Sequence, residues 1–339
     1  MKYSGIDLHS NNCMVVVSDE SDRVLVSRRV PNSVPLVLQA LEPHREDIVG
    51  VVVQATYNWY WLVDGLQAAG YRVHLANAAA IKPYEGLKRT GDEADAAHLA
   101  HLLRLGLLAE GYICPKPLRA VRDLSRKRMQ LVRSRTQHIL AAENIQARES
   151  GYRMNVKQIK RLDTQGVEAA MPELLPEVQL ALQANVAVIG ELGKQIDKLE
   201  RCLRERVRPS EEFQLLKTAP GIGETLATTI MLETGTVARF ARVGNFSSYC
   251  RCVDSERVSN GKKKGAGNVK NGNAYLAWAF VEAANFARRY CPEAKRFYER
   301  KKARTNNIVA TKALAHKLAR ACYHMLREHK PFEVKRCFG

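Results

Sequence analysis

The apolar positions fall first into short runs and later into long periodic stripes. YSGID, residues 3–7, reads as a short buried strand ending in Asp7, and CMVVVSD and RVLVSRRV follow it across the polar turn Glu20–Ser21–Asp22, giving a three-strand meander. Residues 33–41 have helical spacing, and 48–53 form an apolar run of the kind a central strand shows when both its faces are covered. Residues 59–69 are helical and stop at Gly70, 72–76 form another strand, and 92–105 form a helix ending near Gly106. Three early strands, then strands alternating with helices, predict a mixed sheet with helices on its faces, which is the order of an α/β RNase H-like fold.

Pro115 and Pro117 mark a boundary, after which the period changes. Residues 118–149 lack glycine and proline and read as one arginine-rich helix carrying Arg119, Arg122, Arg126, Arg128, Arg133 and Arg135. A second long helix covers 177–207, with an apolar seam at Val178, Leu182, Ile189, Leu192, Ile196, Leu199 and Leu203. The gap in that seam falls at Asn185, a polar residue of the kind that fixes register. The pair predicts an antiparallel coiled-coil hairpin, suited to dimerisation, nucleic-acid binding or spacing. Residues 210–339 then run through LLKTAPGIGETLATT and SNGKKKGAGNVKNGN and close with helices at 274–289, 292–302 and 308–327. Three domains are expected: 1–110, a coiled-coil linker over 111–209, and a mainly α C-terminal domain, 210–339, with an element like a helix-hairpin-helix.

Charge sharpens this division. The chain of 339 residues has a net charge of +18, yet residues 1–110 hold ten Lys/Arg against thirteen Asp/Glu and stand at −3, so the remainder carries +21. Such a field attracts a polyanion, and nucleic acid is the commonest one. No run approaches the roughly 18 apolar residues of a membrane helix. The eight cysteines show no CxxC pairing, and the lone Cys250–Cys252 has no second ligand pair at zinc spacing, so a reducing cytoplasm is expected.

Several residues carry candidate chemistry. Asp7 ends a buried strand, where a carboxylate is costly to desolvate unless a cation or donor offsets it. Asp92 and Asp95 lie three apart on one helix face. Three carboxylates, one from the strand and two from the helix, suit Mg²⁺; alternatively, Asp92 serves as a helix N-cap and Asp95 is solvated. Gln54 ends the central strand, where an RNase H-like site has a third carboxylate. The turn Pro220–Gly221–Ile222–Gly223 suits either phosphate contact through backbone N–H groups or a tight interhelical turn. Ser259 opens the basic glycine-rich loop of Lys262, Lys263 and Lys264, where a hydroxyl beside cations can attack a phosphodiester, or where the lysines simply contact phosphates.

Together these segments resemble the DEDD transposases of bacterial insertion sequences, the group with the Piv-type DNA invertases and the bridge-RNA-guided recombinases. GIDLH, the segment 54–62, KRTGDEADAAHLA, PGIGETLA, SNGKKKG and NGNAYLAWAFVEAA carry the resemblance over nearly the whole chain. It implies a RuvC-like domain in which Asp7, Asp92 and Asp95 hold Mg²⁺, and it makes Ser259 a nucleophile that forms a transient phosphoserine link to DNA. It further implies that the arginine helices, among them Arg122, Arg126 and Arg133, bind a structured guide RNA that pairs with donor and target DNA. Gly221, Gly223 and Lys262–Lys264 would also contact nucleic acid. A homodimer or tetramer would complete the active sites. Gln54 departs from the family's glutamate at this position, and the lost charge should weaken Mg²⁺ binding. Two other functions compete: a RuvC-like nuclease or junction resolvase without a covalent intermediate, and a disabled nucleic-acid-binding relative.

Overall fold

The computed structural model describes residues 1–77, 81, 91–253, 256–266 and 271–339, with the side chains of residues 170, 256–258, 263 and 266 outside that description. The chain divides into two compact units, Met1–Lys116 and Pro117–Gly339, so the long middle helices and the C-terminal helices share one unit.

The first unit runs β1 (Lys2–Leu8), β2 (Asn12–Ser18), β3 (Val24–Pro31), α1 (Val34–Leu41), a 3₁₀ turn at Glu42–Asp47, β4 (Ile48–Gln54), α2 (Tyr60–Ala68), β5 (Val73–Ala76) and α3 (Asp92–Arg104). The strands form one sheet in the order β3-β2-β1-β4-β5, with β1, β2 and β3 antiparallel and β4 and β5 joined in parallel. This mixed sheet is consistent with the RNase H-like order. Val51, Val52 and Val53 are all buried because both faces of β4 are covered. Ile6, Leu8, Val51 and Val53 pack with Leu41, Leu62 and Leu66 from α1 and α2, whereas Val52 packs with Leu99 of α3 on the opposite face.

Gly5 decides how closely α3 approaches the sheet. A methyl group there would lie 1.9 Å from the carbonyl oxygen of Ala96 and 2.9 Å from the amide of Ala100, so α3 rests its alanine face directly on β1. Asp95, Asp92 and Glu93 in the first turn and His101 and Arg104 in the last oppose the helix dipole favourably. The far end is clamped by Asp22 in the β2–β3 turn: its Oδ1 accepts from Arg104 Nε at 2.8 Å, and its Oδ2 lies 2.9 Å from His101 Nδ1.

The second unit contains α4 (Lys116–Ser150, which begins at the boundary), α5 (Val156–Ile159), α6 (Thr164–Ala170), α7 (Pro176–Val207), α8 (Glu211–Lys217), α9 (Glu224–Thr234), a 3₁₀ turn at Val237–Arg239, α10 (Val243–Tyr249), β6 (Glu256–Ser259), β7 (Lys262–Ala266), α11 (Ala274–Tyr290), α12 (Pro292–Arg304), α13 (Asn307–Glu328) and α14 (Val334–Phe338). Helices α4 and α7 run antiparallel: Arg128 Nε donates to Glu200 at 2.8 Å, and His138 Nδ1 meets Asn185 Oδ1 at 3.0 Å further along. The buried seam of α7 differs from the expected one. Leu182, Ile189, Ile196 and Leu203 recur every seven residues, with Val186 and Val207 four positions on, while Leu192 and Leu199 are only half-buried. Gly193, beside Arg135, and Glu200, paired to Arg128, take the other seam positions and mask the stripe in the sequence. Asn185 is no gap: it flanks the seam and ties α7 to α4 through His138.

The main core of this unit joins Leu203 and Val207 to Phe213, Leu226, Ile230, Phe246, Phe280, Leu314 and Leu318. Each such fully buried side chain contributes about 1.5–3 kcal/mol. Among the described residues, no helix is long and apolar enough to cross a membrane.

Candidate active site

Asp7 is only 3% exposed and projects from β1 toward α3, on the same sheet face as Gly5 two residues earlier. The β1–β4 register pairs Ile6 with Val53, so Asp7 and Gln54 follow side by side on adjacent strands, on the α3 face. The close seating of α3 over Gly5 brings the first turn of that helix, with Asp92 and Asp95, to the same place. Burial raises the Asp7 carboxyl above its usual range; His9 opposes the shift, and Asp95 and then Asp92 reinforce it. Asp92 moves the other way, lowered chiefly by its hydrogen bond from Arg29 of β3. It does not cap α3: the N-cap is Gly91, and no side-chain cap bond forms there.

His9 completes the cluster. Its Nε2 lies 3.1 Å from Asp7 Oδ2 and 3.3 Å from Asp92 Oδ2, and one ligand atom from each of Asp7, His9 and Asp92 falls within a common 4.8 Å. Asp95 stands outside this trio and is exposed, acting on Asp7 through its field. A buried carboxylate raised by desolvation, with two acidic neighbours and an imidazole converging on it, is a donor set that fits a divalent cation. The backbone that carries His9 is pinned on several sides: its carbonyl accepts from Asn32 Nδ2 at 3.1 Å and Asn58 Nδ2 at 3.0 Å, and Thr56 Oγ1 donates to Asn58 Oδ1 at 2.9 Å. Gly5, His9, Arg29, Asn32 and Asn58 join the site without being candidates on the sequence pattern alone. Gly5 and His9 share GIDLH with Asp7, and Asn58 lies in the segment 54–62, whereas Arg29 and Asn32 stand in no such motif. Residues 88–90 of KRTGDEADAAHLA lie outside the described residues.

The second unit holds the other candidates. Ser259 is not on an irregular loop, as expected, but ends β6 in a two-stranded ribbon. Asn260 (φ 50°) and Gly261 (φ 69°) form the two-residue turn that Asn-Gly favours between paired strands, a signal masked by the basic, glycine-rich composition around it. Ser259 pairs with Lys262 across the turn, so the exposed hydroxyl and a lysine share one face. A register shift leaves exposed Lys264 as the extra residue, while Lys263 has its backbone in β7 and its side chain outside the described residues.

Gly221 (φ 81°) has a structural reason: a methyl group there would lie 2.2 Å from the Ala283 carbonyl oxygen and 2.6 Å from the Ala287 amide, so its close approach is to α11. Gly223 is exposed at the N-cap of α9, with open space around it. The arginines of α4 divide similarly. Arg122 is only 9% exposed, with Nε 3.7 Å from Asp123. Arg126 donates from Nε at 2.6 Å and Nη2 at 2.7 Å to Glu233, itself 5% exposed, and lies 4.9 Å over the Tyr275 ring. Asn273, the N-cap of α11, also donates to Glu233, at 2.7 Å. Arg133 is exposed and shares a broad groove of about 560 Å³ with Lys127, Gln130, Gln137 and Tyr275.

A transposase family model of the DEDD, IS110 type matches residues 4–145, and one described as the IS116/IS110/IS902 transposase family matches residues 213–299. The chain belongs to this transposase family. The first match contains Asp7, Gln54, Asp92 and Asp95, and the second contains Ser259 and Glu233. Among curated relatives, the transposase is 26% identical to a probable family 20 transposase of Pseudomonas aeruginosa over 79% of its own length and 80% of the relative's. It is 24% identical to the transposase of insertion sequence element IS1328 of Yersinia enterocolitica over 94% and 95%, and 23% identical to that of IS1111A of Coxiella burnetii over 84% and 77%. Both matched segments cover the candidate chemistry: the first spans the Met1–Lys116 unit from residue 4 and continues into α4, and the second lies within the Pro117–Gly339 unit of the transposase.

Proposed function

We propose that this transposase cleaves and exchanges DNA strands with a RuvC-like Mg²⁺ site and the hydroxyl of Ser259 as nucleophile. The observation that carries the reading is the buried Asp7 met by Asp92 from a helix seated directly on its strand. Asp7, Asp92 and Asp95 would supply the carboxylates for the cation, Asp7 and Asp92 already converging and Asp95 acting on Asp7 through its field. A bound divalent cation would supply Lewis-acid polarisation of the scissile phosphate and activation of the attacking oxygen. Ser259 Oγ bonds to phosphorus as the bond to the deoxyribose oxygen breaks, which conserves the phosphodiester as a phosphoserine. The hydroxyl of the incoming DNA end then attacks phosphorus and releases the serine. Lys262, on the same face as Ser259, stabilises charge on the transferring phosphoryl group. The three-part domain reading, with the α4–α7 hairpin as a nucleic-acid or oligomerisation element, belongs to the same proposal. So does a structured guide RNA that pairs with donor and target DNA while the protein reads shape and backbone. Exposed Arg133, Gly223, Lys262 and Lys264 suit backbone contact better than Arg122, Arg126 or Gly221, whose places are taken by internal partners. A homo-oligomer would complete the sites.

The test is a covalent protein–DNA adduct on a denaturing gel, formed with donor DNA, the element's RNA and Mg²⁺. Ser259→Ala should abolish the adduct and strand transfer together. Cutting that persists in Ser259→Ala, with no adduct from the parent, would instead make the protein a nuclease that uses water.

Gln54 favours a second reading of the same site, in which activity is impaired. It is neutral where a further carboxylate would stand beside Asp7. Gln54→Glu is expected to raise recombination most at low Mg²⁺; equal yields from the two proteins across a Mg²⁺ titration would refute the impairment.

A further inference from the structure

The cation reading leaves the imidazole of His9 to be explained, and the inference here rests on that reading. His9 Nε2 is turned inward between Asp7 Oδ2 at 3.1 Å and Asp92 Oδ2 at 3.3 Å. The atom is buried and makes no hydrogen bond of acceptable geometry. Its backbone is hydrogen-bonded on both sides: the His9 amide donates to the Asn12 carbonyl at 2.9 Å, and Asn32 and Asn58 donate to the His9 carbonyl. Across the site, Gln54 offers a neutral amide on the strand next to Asp7. Asp92 is also engaged by Arg29, which offsets part of its charge. The centre is therefore short of negative oxygen ligands and supplied with a nitrogen.

We propose that His9 is the third protein ligand of this centre, compensating for the carboxylate that Gln54 does not supply, and that it turns the site toward first-row divalent cations and away from Mg²⁺. Mg²⁺ prefers oxygen ligands and is reluctant to dehydrate, whereas imidazole binds transition metals well. Mn²⁺ is the weakest binder of that series and the nearest to Mg²⁺ in behaviour, so it is the conservative probe.

The measurement is metal binding by the full chain without nucleic acid. Mn²⁺ is titrated by electron paramagnetic resonance, Mg²⁺ enters as competitor, and pulsed spectra read nitrogen coupling. The parent should show a ¹⁴N coupling that ¹⁵N-histidine labelling converts, a result that needs no variant. His9→Ala should lose the coupling and weaken Mn²⁺ by about tenfold or more, with Mg²⁺ changing much less. Gln54→Glu should narrow the preference for Mn²⁺ over Mg²⁺. If Mn²⁺ binds, and binding collapses in Asp7→Asn, but no histidine coupling is present, the cation reading stands and the role of His9 falls. If Mn²⁺ does not bind, or binds indifferently to Asp7→Asn, both fall together.

Discussion

Asp7→Asn is expected to make the metal-free protein more stable and the enzyme inactive. The carboxylate is buried in the sheet, and its pKa is raised by desolvation first, then by Asp95 and Asp92. The folded chain therefore holds this proton more tightly than the unfolded chain does. The stabilisation is fully present below the unfolded carboxylate value and is lost as pH rises through the raised one. At neutral pH an ionised Asp7 is a cost, which an amide of the same shape removes. Relief of a strained functional site of this sort is commonly worth about 1 kcal/mol. Thermal melts in chelator should show a higher Tm for Asp7→Asn at pH 7, with the gap closing toward acid. Divalent cation should stabilise the parent and leave the variant unmoved. Strand cleavage should fall by at least about a thousandfold, the equivalent of several kcal/mol of lost transition-state stabilisation. A variant less stable than the parent in chelator would show that the His9 contact outweighs desolvation, so that Asp7 is a structural ion-pair residue first.

Arg126→Ala should cost the second unit about 3–5 kcal/mol, the usual penalty for stranding a buried charge. Glu233 is buried on α9 and takes two bonds from Arg126 and one from Asn273 at the start of α11. Removing the guanidinium leaves a carboxylate that a single amide cannot satisfy, and it unties α4 from α9. Arg133→Ala, on an exposed turn of the same helix, should stay within about 0.5 kcal/mol of the parent. Nucleic-acid affinity should respond in the opposite sense, Arg133→Ala weakening it with no loss of fold. Denaturant unfolding of the full chain separates the two. The double variant Arg126→Met with Glu233→Gln should recover most of the loss, because it removes the buried charge together with its partner. Equal stability for Arg126→Ala and Arg133→Ala would mean that the pair is too hydrated to matter, and would return Arg126 to the binding surface.

Strand and helix order in residues 1–105 was legible because both periods are local. Alternation and apolar runs set β1 to β5, and the three-four stripe set α1 to α3. Pro115 and Pro117 interrupt the pattern, and the two compact units divide at Lys116. The long helices α4 and α7 were legible for the same reason, as was Asp7 as an odd charge at the end of an apolar strand. The seam of α7 was less so, because Gly193 and Glu200 interrupt the stripe and only the facing Arg135 and Arg128 explain them. The Ser259 ribbon is also written locally, since Asn260–Gly261 states the turn, but the basic, glycine-rich composition around it reads as a loop.

What only the tertiary structure decided are pairings between residues far apart in the chain. Composition counts an arginine on a helix as a free cation. Whether Arg126 faces solvent or Glu233, 107 positions away, depends on how α4 packs on α9. Gly5 looks like any strand glycine until Ala96 and Ala100 lie on it, and His9 looks like a loop residue until α3 carries Asp92 over it. Hydrophobic period is written within a few residues, so the sequence by itself determined the elements and the chemistry available to them. Electrostatic satisfaction is settled between elements, so only the packed fold decided which charges hold the protein together and which remain for its ligands.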